Sequence, residues 1–218
     1  MIYIPSFEAC NFSSFNRFLK VRGLGWKNLT ESTILNPSMD CIFLPGVGSF
    51  SEGMGCLARL NLVALIRDFA KKGGVVVGVC LGMQLMLEGS EESPGVEGLS
   101  LLKGFCKLLP NDQHSKVPRV GWDEITVRKP GVIFGKSDLV TVNLNYFKSK
   151  SDYYFVHSFY CDPFDSSVET GFFYHAGQKY CASFECGNIL GMQFHPEKSG
   201  DAGYLILDSI FSRAIKVR

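Results

Sequence analysis

Cys80 stands between glycines at the end of an apolar run, Gly73-Gly74-Val75-Val76-Val77-Gly78-Val79-Cys80-Leu81-Gly82-Met83-Gln84. The spacing Gly78-x-Cys80-x-Gly82 suits a nucleophile on a tight strand-to-helix turn. Glycines relieve crowding at the strained bend and lift the reactive atom to the rim of a sheet. The start of the following helix would aim backbone N–H groups and a positive dipole end at the sulfur, favouring its thiolate. Taken alone, the pattern leaves two readings: a nucleophile, or a core cysteine at a strand end.

A thiol nucleophile needs a base and a group that orients the base. Gly191-Met192-Gln193-Phe194-His195-Pro196-Glu197-Lys198 supplies both, because an apolar strand ends in His195, Pro196 fixes the backbone, and Glu197 follows two positions on. In extended chain, residues two apart point to one side, so Glu197 could hold one imidazole nitrogen while the other faces a thiol. A lone histidine in a surface turn is the competing reading, and the attached Pro196 and Glu197 weigh against it. Leu44-Pro45-Gly46-Val47-Gly48 is a glycine-flanked turn after a buried strand. Beside a nucleophile, such a turn could present main-chain N–H groups to an oxyanion, with the Leu81 N–H as a second donor. By itself it is an ordinary turn.

The elements that must position these residues follow from periodicity. Residues 1–5, 39–44 and 75–79 read as buried strands, and 12–21 and 57–71 as helices with one apolar face; 84–87 continues a helix after Cys80. Alternating strand and helix argues for a parallel sheet covered on both faces, with ligands at the carboxyl ends of its strands. From about residue 99 the texture changes. Segments 122–127, 153–156, 172–174, 182–185 and 189–194 read as short strands of a smaller, more antiparallel region on the same core, and 201–214 as a closing helix. Segment 136–152 reads as an inserted hairpin. No repeat or linker divides the 218 residues, so an α/β fold in one domain, 1–218, is expected.

Composition narrows the class. A net charge of +1 with 20% charged and 46% hydrophobic residues gives no electrostatic case for nucleic acid or an anionic membrane. The apolar stretches are too short for a membrane span, and the start lacks the features of a secretory signal. Eight irregularly spaced cysteines without a zinc-type cluster point to reduced thiols in the cytoplasm.

Together these motifs resemble the triad-type glutamine amidotransferases, and within them the glutaminase subunits of imidazole glycerol phosphate synthases. The strings that carry the resemblance are Pro45-Gly46-Val47-Gly48, Gly78-Val79-Cys80-Leu81-Gly82-Met83-Gln84-Leu85 and Lys116-Val117-Pro118-Arg119-Val120-Gly121-Trp122, followed by Tyr154-Phe155-Val156-His157-Ser158 and Gln193-Phe194-His195-Pro196-Glu197-Lys198-Ser199. The resemblance implies that Cys80, His195 and Glu197 form a catalytic triad acting on glutamine, with no metal or cofactor. It also implies that Val47, Gly48 and Leu81 serve an oxyanion, and that Gln84, His157 and Ser158 hold the amino-acid end of the substrate. Arg119, Trp122, Asp123 and Lys198 would face a partner (β/α)-barrel synthase of the cyclase type that receives the ammonia in a heterodimer. Plainer roles stand beside these: packing for Trp122, a solvated charge for Lys198, main-chain contacts alone for His157.

Three departures from the family pattern matter. Ser6-Phe7-Glu8-Ala9-Cys10-Asn11 replaces a glycine-rich Asp-Tyr-Gly-x-Gly-Asn, so the first loop should take a different path. Arg119 and Asp123 replace a histidine and an asparagine, altering charge where the family meets its partner. Segment 136–152 is longer than usual. Intact catalytic strings beside drifted interface strings leave two acceptors open: the histidine-pathway cyclase, or amidation of a bacterial surface sugar. A stand-alone cysteine hydrolase and an inactive binding subunit are less consistent, because Gln84, the 155–158 string and all three triad residues are present.

Overall fold

The computed structural model describes residues 1–6, 13–46, 48–113, 115–135 and 152–214. The first half runs β1 (Ile2–Pro5), α1 (Ser13–Val21), β2 (Trp26–Leu29), β3 (Cys41–Leu44), α2 (Phe50–Arg59), α3 (Leu62–Lys71), β4 (Val75–Val79) and α4 (Leu81–Gln84). Then come β5 (Gly89–Ser90), β6 (Gly104–Leu108), β7 (Arg119–Glu124), β8 (Thr126–Val127), β9 (Asp152–His157), β10 (Phe159–Pro163), β11 (Glu169–His175), β12 (Gln178–Cys186), β13 (Ile189–Met192) and α5 (Gly200–Ala214).

Among the described residues, eight strands form one sheet in the order β2-β1-β3-β4-β13-β12-β11-β8. The first five strands pair in parallel and the last three antiparallel. Alternate side chains of the central strands serve two cores. Ile2, Ile4, Phe43, Val77 and Val79 pack with α1 and α5, whereas Ile42, Leu44 and Val76 pack with α2 and α3. The sheet is therefore covered on both faces, as strands buried on both sides require. Most of the antiparallel strands extend this sheet; β10-β6-β5 and the pair β7-β9 form two small sheets beside it.

Several elements differ from the periodicity-based expectation: β5, β6 and β10 lie outside the strands it named, and the strand expected over 122–127 is divided between β7 and β8. The helix expected over 57–71 is two helices, broken where Asn61 adopts φ +54°, a conformation asparagine tolerates better than most side chains. The first of them starts at a capping box, Ser49 with Glu52, which satisfies N–H groups at the helix start. The edge strand β2 was not anticipated. Its Trp-Lys-Asn-Leu sequence is mostly solvent-facing and carries neither an alternating nor an apolar signature. The unusual first loop over 7–11, Val47, and 136–151 of the expected hairpin lie outside the described residues.

Candidate active site

Val76, Val77 and Gly78 pair in parallel with Ile189, Leu190 and Gly191, and Val79 with Met192, so β4 and β13 end at one edge of the sheet. The next residue, Cys80, takes φ +51° and ψ −109°, a backbone state that a non-glycine residue holds only under tertiary constraint. Close packing supplies the constraint. A Cβ on Gly82 would overlap the Leu44 carbonyl, and one on Gly78 would strike the Gly82 backbone. The Pro45–Gly48 turn also lies directly on this bend: a Cβ on Gly46 would collide with the Leu81 nitrogen and the Val79 carbonyl.

The helix after Cys80 is shorter than expected. It ends at Gln84, and 85–87 continue only as turns, so α4 is one turn long and its dipole is correspondingly small. The sulfur meets specific partners instead: Cys80 Sγ is 3.7 Å from the Val156 carbonyl, and the Gln193 side-chain amide donates toward it at 3.6 Å.

His195 follows β13. Its N–H donates to the Tyr154 carbonyl at 2.8 Å, and the His195 carbonyl accepts from Ser199 Oγ at 2.6 Å, which fixes the backbone on both sides. Glu197 reaches the imidazole through a 3-10 turn, Pro196–Lys198, and not through extended chain as the spacing had suggested. Its Oε1 accepts from Nδ1 at 2.7 Å. The carboxylate thereby fixes a ring proton on Nδ1 and leaves Nε2 as the position where a proton can come and go. Among the described residues, neither Nε2 of His195 nor Oε2 of Glu197 has a hydrogen-bond partner. Burial opposes the imidazolium, but the nearby Cys80 sulfur and the Glu197 carboxylate outweigh it and raise the His195 pKa to about 10.

A cavity of about 260 Å³ opens at Cys80. Of the residues expected to bind, Gly48, Leu81, Gln84, His157 and Ser158 line it. Gln84 is held by donation from Nε2 to the Phe159 carbonyl at 3.0 Å and to Gln193 Oε1 at 3.3 Å. His157 Nδ1 lies 2.9 Å from the Phe159 carbonyl, so it carries the proton, and buried Nε2 is left unpaired. Burial drives the His157 pKa down to about 3; the Phe159 bond opposes that shift and the nearby Arg119 charge adds to it.

The four residues expected at a partner surface do not share one setting. Trp122 is 56% exposed and packs edge-on to Tyr154 at 5.8 Å; the Lys198 ammonium sits 5.5 Å over the same ring. Tyr154 in turn lies 6.3 Å from the His195 ring, so these two side chains flank the candidate triad. Arg119 instead turns inward. Its guanidinium covers the Phe155 and Phe173 rings at 4.4 and 4.6 Å and pairs with Asp123. The two departures from the family pattern thus contact each other, and little of Arg119 is left for another protein to touch.

Two residues escaped the sequence reading. Glu92 lines the cavity and accepts from the Phe50 N–H at 2.7 Å; a carboxylate there can receive an amino acid's ammonium group. It lies in a polar Ser-Glu-Glu-Ser turn with no periodic signal. Gln193 is fully buried against Cys80; its signal was a polar residue inside an otherwise apolar strand end.

Comparison with known proteins identifies the family. The family model for class-I glutamine amidotransferases matches residues 17–211. Imidazole glycerol phosphate synthase subunit HisH of Chlorobium luteolum is 35% identical over 95% of this chain and 97% of its own length. The HisH of Moorella thermoacetica is 40% identical over 76% of this chain and 73% of its own, and HisH 1 of Legionella pneumophila 38% over 78% and 79%. Among solved structures, one described as a glutamine amidotransferase superposes with a TM-score of 0.69 at 14% identity, covering 96% of this chain and 98% of the other. PurLQS from Thermotoga maritima gives 0.67 at 19% identity, covering 97% of each chain. This chain belongs to the class-I glutamine amidotransferases, and among them to the HisH type.

Proposed function

We propose that the chain hydrolyses glutamine to glutamate and ammonia, as the glutaminase subunit of an imidazole glycerol phosphate synthase in histidine biosynthesis. The observation that carries this reading is Cys80 on its strained turn, opening into a cavity beside a histidine already tied to a carboxylate.

In this reading His195 Nε2 takes the Cys80 proton as the sulfur attacks the side-chain amide carbon. The resulting oxyanion lies against the Leu81 N–H and the turn containing Val47 and Gly48, where fixed donors offset the developing charge. His195 then gives the proton to the departing ammonia, leaving a thioester on Cys80. Water, deprotonated by His195, releases glutamate. Glu197 holds the ring in the tautomer that both transfers need. Gln84, Glu92, His157 and Ser158 hold the amino-acid end of the substrate. Ammonia passes to a partner (β/α)-barrel synthase of the cyclase type, docked over the surface that carries Trp122 and Lys198. A cytoplasmic setting goes with this reading, and there the thiols stay reduced.

The test is glutaminase turnover by the free chain and by the chain with a cyclase-type barrel subunit. Turnover stimulated by the barrel, with imidazole glycerol phosphate formed, is the expected result. Cleavage of peptides with no action on glutamine would overturn the reading.

One observation favours a second acceptor. The Arg119–Asp123 pair changes the β7–β9 strand pair that carries the exposed Trp122. A paralogue that feeds ammonia to a synthase amidating a bacterial surface sugar fits that change. Stimulation by that synthase and not by the histidine-pathway cyclase would select this second reading.

A further inference from the structure

Gln193 is fully buried two residues before His195, and the mechanism above leaves it without a task. Its backbone is fixed, because its N–H donates to the Ala182 carbonyl at 2.8 Å. The direction of its amide is fixed as well. Gln84 Nε2 donates to the Phe159 carbonyl, an atom that only accepts, so the nitrogen end of the Gln84 amide must face that way. The second N–H of the same group meets Gln193 Oε1 at 3.3 Å. With its oxygen so engaged, Gln193 turns its NH₂ group to Cys80 Sγ, at 3.6 Å. A one-turn α4 supplies little dipole of its own, so this amide is a directed donor at the sulfur.

We propose that Gln193 is a further catalytic residue, donating an N–H to Cys80 Sγ, with Gln84 as the positioning residue that sets the direction of its amide. When the S–H bond breaks, the proton goes to His195 Nε2 and the electron pair stays on sulfur, facing the Gln193 N–H. A donor to the charged form favours that form, and a rigid donor also keeps the sulfur aimed into the cavity. As the C–S bond to the substrate forms, sulfur loses its charge and the contact relaxes. Gln84 thereby has a second duty besides lining the cavity.

The inference rests on Cys80 being the nucleophile, and its test has an arm independent of glutamine. Purified full-length chain is treated with iodoacetamide, and modification of the Cys80 peptide is followed by mass spectrometry. Gln193→Met, similar in volume and without donors, should slow alkylation about tenfold at pH 7, the usual weight of one hydrogen bond to a charged group. At pH 9.5, where thiols are largely ionised anyway, the variant and the wild type should converge. In turnover, kcat should fall by about the same factor, with KM for glutamine within about twofold. Equal alkylation at pH 7 in folded Gln193→Met would overturn the proposal. If that variant does not fold, Gln84→Met decides by alkylation alone: a loss of about twofold or more at pH 7 supports the proposal, and none overturns it. Wild type that hydrolyses no glutamine while the alkylation pattern holds would sink the glutaminase reading and leave the contact standing.

Discussion

Two buried histidines, His157 lining the cavity and His195 beside Cys80 behind it, are driven by their surroundings in opposite directions. His195, just after β13, has Glu197 on Nδ1 and the Cys80 sulfur nearby, and its pKa is raised to about 10. His157, at the end of β9, donates to a neutral carbonyl and has the Arg119 cation opposite it in the strand register; its pKa is lowered to about 3. Burial penalises the imidazolium in both. An adjacent anion reverses that penalty and an adjacent cation deepens it. The lesson is that residue type does not assign the role of a histidine here. The setting of His195 favours the protonated ring, and that of His157 favours the neutral one.

The most damaging way to break this contrast is to remove the sulfur. Cys80→Ala should abolish glutamine hydrolysis, a loss of about 10⁴-fold or more, read as glutamate release; retained turnover would reject Cys80 as nucleophile. Next comes the orienting carboxylate. Glu197→Gln should lower kcat by about 10²–10⁴-fold, and the His195 ring, followed by NMR, should titrate well below its wild-type midpoint. An unmoved titration would show that Glu197 does not set the proton affinity of that ring.

The contrast also predicts a stability profile with two different limbs. His195 binds its proton more tightly folded than unfolded, so its contribution is complete below about pH 6.5 and fades as pH rises toward about 10. His157 binds its proton less tightly folded, so stability is lost as pH falls from about 6.5 toward about 3. In urea denaturation, Glu197→Gln should flatten the alkaline limb and His157→Phe the acid limb. Loss of both limbs in either variant would mean that the two histidines are not independent.

Smaller effects are expected on the β7–β9 strand pair. Restoring the family's residues singly, by Arg119→His or Asp123→Asn, should cost about 1–2 kcal/mol of stability, because each leaves a partly buried charge without its partner. The double variant should cost less than the sum, by about 0.5 kcal/mol or more; strict additivity in a thermodynamic cycle would show that the pair does not couple. Least of all, Trp122→Ala should change folding stability by under about 0.5 kcal/mol, since the ring is more than half exposed. If the proposed barrel partner docks over this surface, the same variant should weaken its affinity, read by titration calorimetry, because an exposed tryptophan beside Tyr154 and Lys198 has the chemistry of a binding hot spot.

Legibility along the chain followed burial and local spacing. The strand ending at Val79 and the helix over most of 201–214 could be read because their apolar pattern reports the environment they fold into. β2 could not, since an exposed edge strand is held by main-chain bonds that any side chains permit. The break at Asn61 was hidden because apolar residues on both sides keep helical spacing across it. At the site, Cys80, His195 and Glu197 stood out by type and neighbours, whereas Glu92 did not: a carboxylate in a polar turn looks like any solvated charge until the sheet edge folds beside it.

Local chemistry therefore settled which residues could react, because a cysteine between glycines and a histidine followed by Pro-Glu are constrained over a few positions of chain. How they meet was decided by long-range packing. The parallel register of β4 with β13 joins residues more than a hundred positions apart. A 3-10 turn, and not an extended strand, brings Glu197 to His195. Arg119 turns inward to Asp123 only because two phenylalanines from other strands provide its seat. Distances of this kind arise from the closing of the sheet and its cores, and no short stretch of residues encodes them.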